Sequence, residues 1–414
     1  MGLFEPHGRH RGRHREAAVI RSVSDVEAAG RRLVVRADLN VPMEGGRVSD
    51  ATRITRFAEG MKPLLARGVS LVILSHFGRP KGKPDPAFSL RPLRDDLARA
   101  LGCPVRFATL DAAADEAARL NPGQVLLVEN LRFEPGEESN DKALARRLAA
   151  LGDVYVNDAF SCAHRAHAST EAIAHLMPGV AGPLMTEELR ALTQALEQPA
   201  RPSVAIVGGS KVSTKIAVLK NLVGKVDHLI VGGGMANTFL FAEGAPMGRS
   251  LHEADQIGTV REIRALAAQS GCSIHLPADA VVARAFEAHA ACETVPATAC
   301  PADAMILDAG PQAVAEFTTV LEGARTILWN GPLGAFEMPP FDAATMALAR
   351  VAAELTRGGT CVSVAGGGDT VAALNAAGVA DRFTYVSTAG GAFLEWLEGR
   401  TLPGVAALMQ NERV

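Results

Sequence analysis

No stretch of this 414-residue chain approaches the ~18 consecutive apolar residues of a membrane span, and no secretory apolar core stands near its start. No membrane association is therefore expected. The six cysteines (Cys103, Cys162, Cys272, Cys292, Cys300, Cys361) form no Cys-x-x-Cys pair, so a zinc ribbon or dithiol redox motif is excluded. Reduced thiols in a cytoplasmic protein are the expectation. Aromatic residues make up only 5%, too few for stacking platforms along single-stranded nucleic acid. A net charge of −3 gives no global attraction to nucleic acid or anionic lipid. Two phosphate-binding fingerprints are also missing. Neither GxxxxGK[ST] nor GxGxxG occurs, which disfavours a P-loop enzyme and an NAD-dependent dehydrogenase.

What is present is a soluble globular composition, 48% apolar and 21% charged, in a chain too long for one ordinary core. His7–Glu16 (HGRHRGRHRE) is basic and aperiodic and reads as a disordered tail. From about Arg31, short apolar runs alternate with helical stretches, the pattern of parallel sheets covered by helices. In the first half these runs are Leu33–Val35, Val69–Leu74, Val125–Val128 and Val154–Val156. In the second they are Val204–Val207, His228–Val231, Ser273–Leu276, Met305–Leu307, Thr326–Leu328, Thr360–Val364 and Thr384–Val386. Thr186–Gln198, followed by Pro199 and Pro202, reads as a hinge or linker between the halves.

Ligands of open parallel sheets bind beyond the carboxyl ends of the strands, so the residues after each run matter most. In the first half these are cations. Arg36-Ala-Asp38-Leu-Asn40 follows the first run and Ser75-His76-Phe77-Gly78-Arg79-Pro80 the second. Glu129-Asn-Leu-Arg132-Phe133 follows the third, and Asn157-Asp158 with His164-Arg165-Ala-His167 the fourth. Arg53 comes shortly after the first of these. Arginine recognises carboxylate and phosphate in bidentate fashion, so the target is a small molecule with more than one negative group. Any one of these arginines alone would read as a surface salt bridge. The His164/His167 pair lacks a third ligand at zinc spacing and reads as packed or substrate-facing.

Strand ends of the second half carry glycine instead. Val204–Lys215 (VAIVGGSKVSTK) reads as a buried strand, a Gly208-Gly209 turn and a helix beginning near Ser210. That start would put Lys211 and Lys215 on one helical turn, where each repels the other and the helix dipole unless an anion is bound. Lysines that merely point into water are the alternative. Gly232-Gly-Gly234, Gly366-Gly367-Gly368-Asp369-Thr370 and Gly390-Gly391 follow other strands and suit close approach of phosphates and a base. Asp369 offers a hard oxygen of the kind Mg2+ prefers, or else caps the next helix.

Arg36-Ala-Asp-Leu-Asn40, Ser75-His-Phe-Gly-Arg-Pro80, Glu129-Asn-Leu-Arg-Phe133, Asn157-Asp-Ala-Phe160, Ala163-His-Arg-Ala-His167, Gly208-Gly-Ser-Lys-Val212, Trp329-Asn-Gly-Pro332 and Gly366-Gly-Gly-Asp-Thr370 together resemble the phosphoglycerate kinase family, in that family's order. The resemblance runs from about residue 30 to the C-terminus. It implies two doubly wound, Rossmann-like α/β domains facing a cleft and joined by a hinge helix. The expected division is a tail (1–17), a phosphoglycerate-binding domain (18–185), the hinge (186–200), a nucleotide-binding domain (201–392) and a segment returning to the first domain (393–414). It implies reversible Mg2+-dependent transfer from 1,3-bisphosphoglycerate to ADP, giving 3-phosphoglycerate and ATP. Asp38, Leu39, Asn40, Arg53, His76, Phe77, Gly78, Arg79, Arg132 and Arg165 match the family's acid-binding residues. Lys211, Lys215, Asn330, Glu337 and Gly366, Gly367, Gly368, Asp369 and Thr370 match its nucleotide side, with Asp369 toward the metal. Ala37, Leu39, Ser210, Thr214 and Ala389 depart from the commonest family pattern, but none removes a charge the chemistry uses.

A carboxylate attacking phosphorus is already deprotonated, so the reaction needs alignment and charge cancellation rather than a base. Arg53, Lys215 and Lys211 are the residues expected to supply them. Hinge closure, a cytoplasmic monomer and no nucleic-acid partner complete the expectation. A non-catalytic binder of phosphorylated metabolites is the alternative.

Overall fold

The computed structural model describes residues 20–409. The tail expected at 1–17 lies outside the described residues.

The first sheet is built from β1 (Arg32–Arg36), β4 (Ser70–Leu74), β5 (Val105–Ala108), β6 (Val125–Val128), β7 (Val154–Asn157) and β8 (Gly179–Ala181), while β2 (Met43–Glu44) and β3 (Arg47–Val48) form a separate small hairpin. Its order is β5-β6-β4-β1-β7-β8, and every pairing is parallel. All residues of β4, β6 and β7 are buried, as continuous apolar runs between two helical layers must be. Helix Thr52–Ala66 covers one face through Ile54, Phe57, Ala58, Met61 and Leu64, which recur at helical spacing. Each such large side chain contributes about 1.5–3 kcal/mol by its burial.

The second sheet comprises β9 (Ser203–Val207), β10 (His228–Val231), β11 (Ser273–His275), β15 (Thr326–Asn330), β16 (Val362–Gly366) and β17 (Tyr385–Ser387). It runs β11-β10-β9-β15-β16-β17, all parallel, the order of a doubly wound dinucleotide fold. Two parallel-sheet domains are thus present.

Met305–Leu307 does not join that sheet. It belongs to β14 (Met305–Ala309), which pairs antiparallel with β12 (Asp279–Ala283), itself paired with β13 (Cys292–Pro296). β13 is largely exposed and carries no apolar period, so nothing in its sequence marked it as a strand.

The stretch around Thr186–Gln198 begins earlier than its polar residues suggested. An α-helix occupies Pro183–Leu192, with Pro183 at its first turn where a missing N–H is tolerated, and continues as a π-turn over Thr193–Glu197. The last described helix, Pro403–Met409, lies against β8 and the turns Phe160–Cys162 and Ala172–His175, and Gly404 N–H donates to Ala163 O at 2.9 Å.

Candidate active site

The order of the first sheet places β1 between β4 and β7, so the segments after these three strands converge where the chain reverses direction across the sheet. Arg53 Nη1 donates to Asp38 Oδ2 at 3.0 Å and to Asn40 O at 2.9 Å. Ser161 Oγ donates to the same Asp38 oxygen at 2.6 Å. Asn40 Oδ1 accepts from Gly78 N–H at 3.0 Å, Phe77 N–H is held by Asn130 Oδ1 at 3.1 Å, and Arg132 Nη1 donates to Gly78 O at 2.7 Å. Asp38, Asn40, Arg53, Phe77, Gly78 and Arg132 therefore form one connected frame.

Several cations crowd this frame. Burial, and the neighbouring Arg165 and Arg36, pull the Arg132 guanidinium below its ordinary value although Glu138 raises it. Arg132 Nε lies 3.3 Å from the Glu138 carboxylate without an aligned hydrogen bond. Burial, Arg36, Arg132 and Arg165 lower His76 far below the imidazole range, and the same causes lower His167 to about 4. Both rings are thus neutral at physiological pH, and the charge resides on the arginines. An anion would relieve the repulsion between them. Arg165 is half-buried, its Nε donating to His164 Nε2 at 3.1 Å, while Arg79 is exposed.

Two of the expected residues point elsewhere. Leu39 is fully buried in the core, and only its backbone N–H, held by Ser75 Oγ at 3.0 Å, stands near the strand end. A leucine side chain cannot face a charged acid and the core together. Arg36 also points inward, to Ser169 Oγ at 2.9 Å and to His76 Nδ1 at 3.1 Å. Among the described residues the only close His, Cys and carboxylate group is Asp38, His76 and Cys162, and Arg36 and Arg53 already engage it.

In the second sheet the reversal falls between β9 and β15, and Lys215 sits there. Its Nζ donates to Gly208 O at 2.7 Å, Asn330 O at 3.1 Å and Asn330 Oδ1 at 2.8 Å. Burial pulls its ammonium down to about 8, against the nearby Asp369 carboxylate, which raises it. Asn330 is fixed in turn by Nδ2 donating to Gly366 O at 2.8 Å, and Gly331 N–H is held by Thr370 Oγ1 at 2.7 Å. Thr370 is buried, so it braces the turn rather than facing solvent.

The helix does not begin at Ser210. It spans Ile216–Val223 with Lys215 at its N-cap, and the eight residues before it form an irregular loop. Val212 is fully buried and anchors that loop, while Glu253 accepts from both the N–H (2.9 Å) and the hydroxyl of Ser213. These contacts compete with a helical turn. Lys211 and Lys215 consequently occupy no common turn: Lys211 is exposed, and Lys215 is half-buried at the strand ends.

Close backbone packing explains the glycines. A Cβ on Gly208 would lie 1.7 Å from Pro332 O, and one on Gly233, at φ +66°, 2.7 Å from Gly209 O. These turns wall a cavity of about 360 Å³ whose lining includes Gly209, Gly234, Pro332, Leu333, Glu337 and Asp369. Exposed Leu251 and Phe286 also line it, an apolar surface that sequence reasoning missed because neither follows a strand of the parallel sheet. Gly366 is buried, Gly367 has φ +97°, and Gly367 rather than Asp369 caps helix Gly368–Ala376. Gly368 and Asp369 stand exposed on its first turn, and the Asp369 carboxylate makes no hydrogen bond to the described residues. A free hard-oxygen donor beside glycine N–H groups fits Mg2+, which retains waters and binds one or two carboxylates together with phosphate.

The acid-side cavity, about 300 Å³, is lined by Asp38, Asn40, Arg53, Arg56, Asp158 and Ser161 among others, and shares no residue with the glycine-walled one. Between the sheets, Tyr385 Oη donates to Glu188 Oε2 at 2.5 Å and Arg56 pairs with Glu187 at 2.9 Å. A cavity larger than either, about 920 Å³, lies behind helix Pro183–Leu192 and contains none of the strand-end cations. Volume alone does not locate the chemistry here.

A family model described as phosphoglycerate kinase matches residues 23–400. The chain belongs to the phosphoglycerate kinase family. A phosphoglycerate kinase of Ruegeria sp. is 58% identical over 391 residues, 94% of this chain and 99% of that protein. Another, of Methylorubrum extorquens, is 59% identical over 382 residues, 92% and 96% respectively. The solved structure of the Coxiella burnetii phosphoglycerate kinase superposes with a TM-score of 0.90 at 42% identity, covering 95% of this chain and 99% of that one. That of Pyrococcus horikoshii gives 0.75 at 26%, covering 94% and 98%. Phosphoglycerate kinases are glycolytic phosphotransferases that use ADP and ATP with Mg2+. Two separate strand-end sites, one cationic and one glycine-walled, fit such a two-substrate reaction. No helix among the described residues is long and apolar enough to cross a membrane.

Proposed function

We propose that the chain transfers a phosphoryl group reversibly between 1,3-bisphosphoglycerate, held at the first sheet, and ADP, held at the second. The observation that carries this reading is the pair of cavities, one at the reversal point of each sheet and with no residue in common, the first being closed on one side by Tyr385, Thr388 and Ala389 of the second domain. Asp38, Asn40, Arg53, His76, Arg132 and Arg165 bind the acid, with Phe77, Gly78 and Arg79 completing the loop around it. Lys215, Asn330 and the Gly366–Thr370 turn receive the nucleotide phosphates, and Glu337, exposed at the cavity rim, suits the ribose hydroxyls. Lys211, exposed on the loop, reaches phosphate only when nucleotide is present. Asp369 would hold Mg2+, which when bound neutralises the nucleotide phosphates.

Catalysis in this reading is alignment and charge cancellation. Arg53 and Lys215 meet the transferring group from opposite sides, and each stands in a pre-formed set of hydrogen bonds. Since the two cavities are separate, residues 186–200 act as the hinge between domains 18–185 and 201–392, with 393–414 tying the second back to the first. Closure also excludes water that would hydrolyse the acyl phosphate. All six cysteines are free, in keeping with a cytoplasmic location.

A coupled assay of NADH consumption with ATP and 3-phosphoglycerate tests this. Turnover that requires Mg2+ and both substrates is expected. Binding of both ligands without turnover would instead favour a sensor of phosphorylated metabolites.

A further inference from the structure

Arg36 is 1% exposed at the end of β1, too deep to meet substrate, yet it lies against the acid-binding frame. Its guanidinium is held from three directions. Nε donates to Ser169 Oγ at 2.9 Å, Nη1 donates to Ala37 O, and Nη2 stands 3.1 Å from His76 Nδ1. Ser169 is fixed in turn, its hydroxyl donating to Glu137 Oε1 at 2.5 Å and its N–H to Glu137 Oε2 at 3.1 Å. Ser169 and Glu137 are both fully buried, and Tyr155 Oη donates to Ser169 O at 2.8 Å. The guanidinium has no room to turn away from His76.

We propose that Arg36 is a positioning residue that holds His76 as its Nε2–H tautomer, so that the ring presents a fixed neutral donor to an oxygen of the acid substrate. A guanidinium carries only donors. His76 Nδ1 must therefore accept, and the single proton of the neutral ring sits on Nε2. Cys162 Sγ, 3.9 Å from Nδ1, acts in the same direction if its thiol donates. Protonation of both nitrogens is opposed by burial and by the groups facing the ring: the cations Arg36 from β1, Arg132 from the turn after β6 and Arg165 from the segment after β7, with the neutral His167 beside Arg165. Asp38, whose carboxylate is near enough to share a cluster with the ring, is engaged by Arg53 and Ser161. The division of labour follows. Arginines supply charge, and His76 supplies one directed hydrogen bond whose strength does not vary across neutral pH.

His76 meets substrate only under the function proposed above, whereas the tautomer does not depend on it. Nitrogen-15 NMR of the histidine-labelled enzyme separates the two, with the His76→Gln spectrum assigning the signal. In the free enzyme Nδ1 should resonate as an unprotonated and Nε2 as a protonated nitrogen, unchanged from pH 6 to pH 9. A protonated Nδ1, or a ring that titrates in that interval, overturns the proposal. Adding 3-phosphoglycerate should move the Nε2 resonance; if only Nδ1 behaves as expected, the lock stands and the substrate contact is wrong. In Arg36→Met/Glu137→Gln, which removes the buried charges together, the tautomers should mix. The KM for 3-phosphoglycerate should rise about tenfold and become pH-dependent, with kcat changed less than about threefold. An unaltered tautomer and KM in that folded variant would assign Arg36 a purely structural role. Should the variant not fold, the wild-type spectrum alone decides.

Discussion

The ends of the two sheets solve the same problem, holding phosphate, with opposite materials. At the first sheet, in the reading proposed above, side chains do the binding: Arg53 and Arg132 stand in one frame beyond the strands, held by Asp38 and by Gly78 O. At the second, backbone does most of it. Turns after β9, β10 and β15 are packed so closely that glycine is needed at Gly208 and Gly233, and one half-buried lysine supplies the charge. The difference follows from the ligands. A small acid offers few atoms and must be gripped by long side chains, whereas a nucleotide brings a flat base that needs wall and close approach.

Removing a reacting-side cation should have the largest effect. Arg53→Ala is expected to lower kcat about 10³–10⁵-fold with an unchanged melting transition, because Arg53 is partly exposed and supports no core. A near-normal kcat in steady-state kinetics would exclude Arg53 from the transition state. The second sheet should instead break through its backbone. Gly208→Ala is expected to cost about 1–3 kcal/mol or more in stability, read as a lowered denaturant midpoint, since its Cβ would meet Pro332 O at 1.7 Å. A midpoint equal to the parent's would mean that the turn has room for a side chain.

Arg132→Ala should be milder. If, as proposed, it holds a non-reacting end of the acid, KM for 3-phosphoglycerate should rise about 10–100-fold while kcat stays within about threefold. A kcat loss as large as that of Arg53→Ala would put Arg132 at the transferring group. The smallest effect is on pH dependence. Lys215, lowered to about 8 by burial, is charged below that pH and neutral above it in the free enzyme. ADP affinity should thus fall as pH rises through about 8, by at most about tenfold per unit, with proton uptake on binding detectable by calorimetry in two buffers. Affinity flat from pH 7 to 9.5 would show that Lys215 titrates higher. Folding carries the opposite sign: the unfolded lysine keeps its proton up to its ordinary value near 10.5, so the stability cost of burying the charge is relieved as pH rises from about 8.

Much of this contrast was legible in the residues alone. Continuous apolar runs such as β4 and β9 announced parallel strands, and the groups after them had to stand at one edge. What escaped was anything fixed by packing from a distance. The side-chain direction of Leu39 and Arg36 depends on which face of the extended segment meets the core. The late start of helix Ile216–Val223 depends on Glu253, some forty residues away in sequence, capturing Ser213. β13 is exposed and exists only because β12 lies beside it. Ser161, which shares Asp38 with Arg53, follows the Asn157–Phe160 motif by one residue and was visible only in three dimensions.

Cations on one domain and glycine turns on the other can act on a single phosphoryl group only if the two cavities are brought together. Small-angle scattering of the enzyme alone, with 3-phosphoglycerate, with ADP and Mg2+, and with all three tests this most directly. The radius of gyration should fall clearly only when both substrates are present, because each cavity recruits its own ligand and only the pair bridges them. A radius that stays constant through all four states, in protein that turns over under the same conditions, would contradict the account.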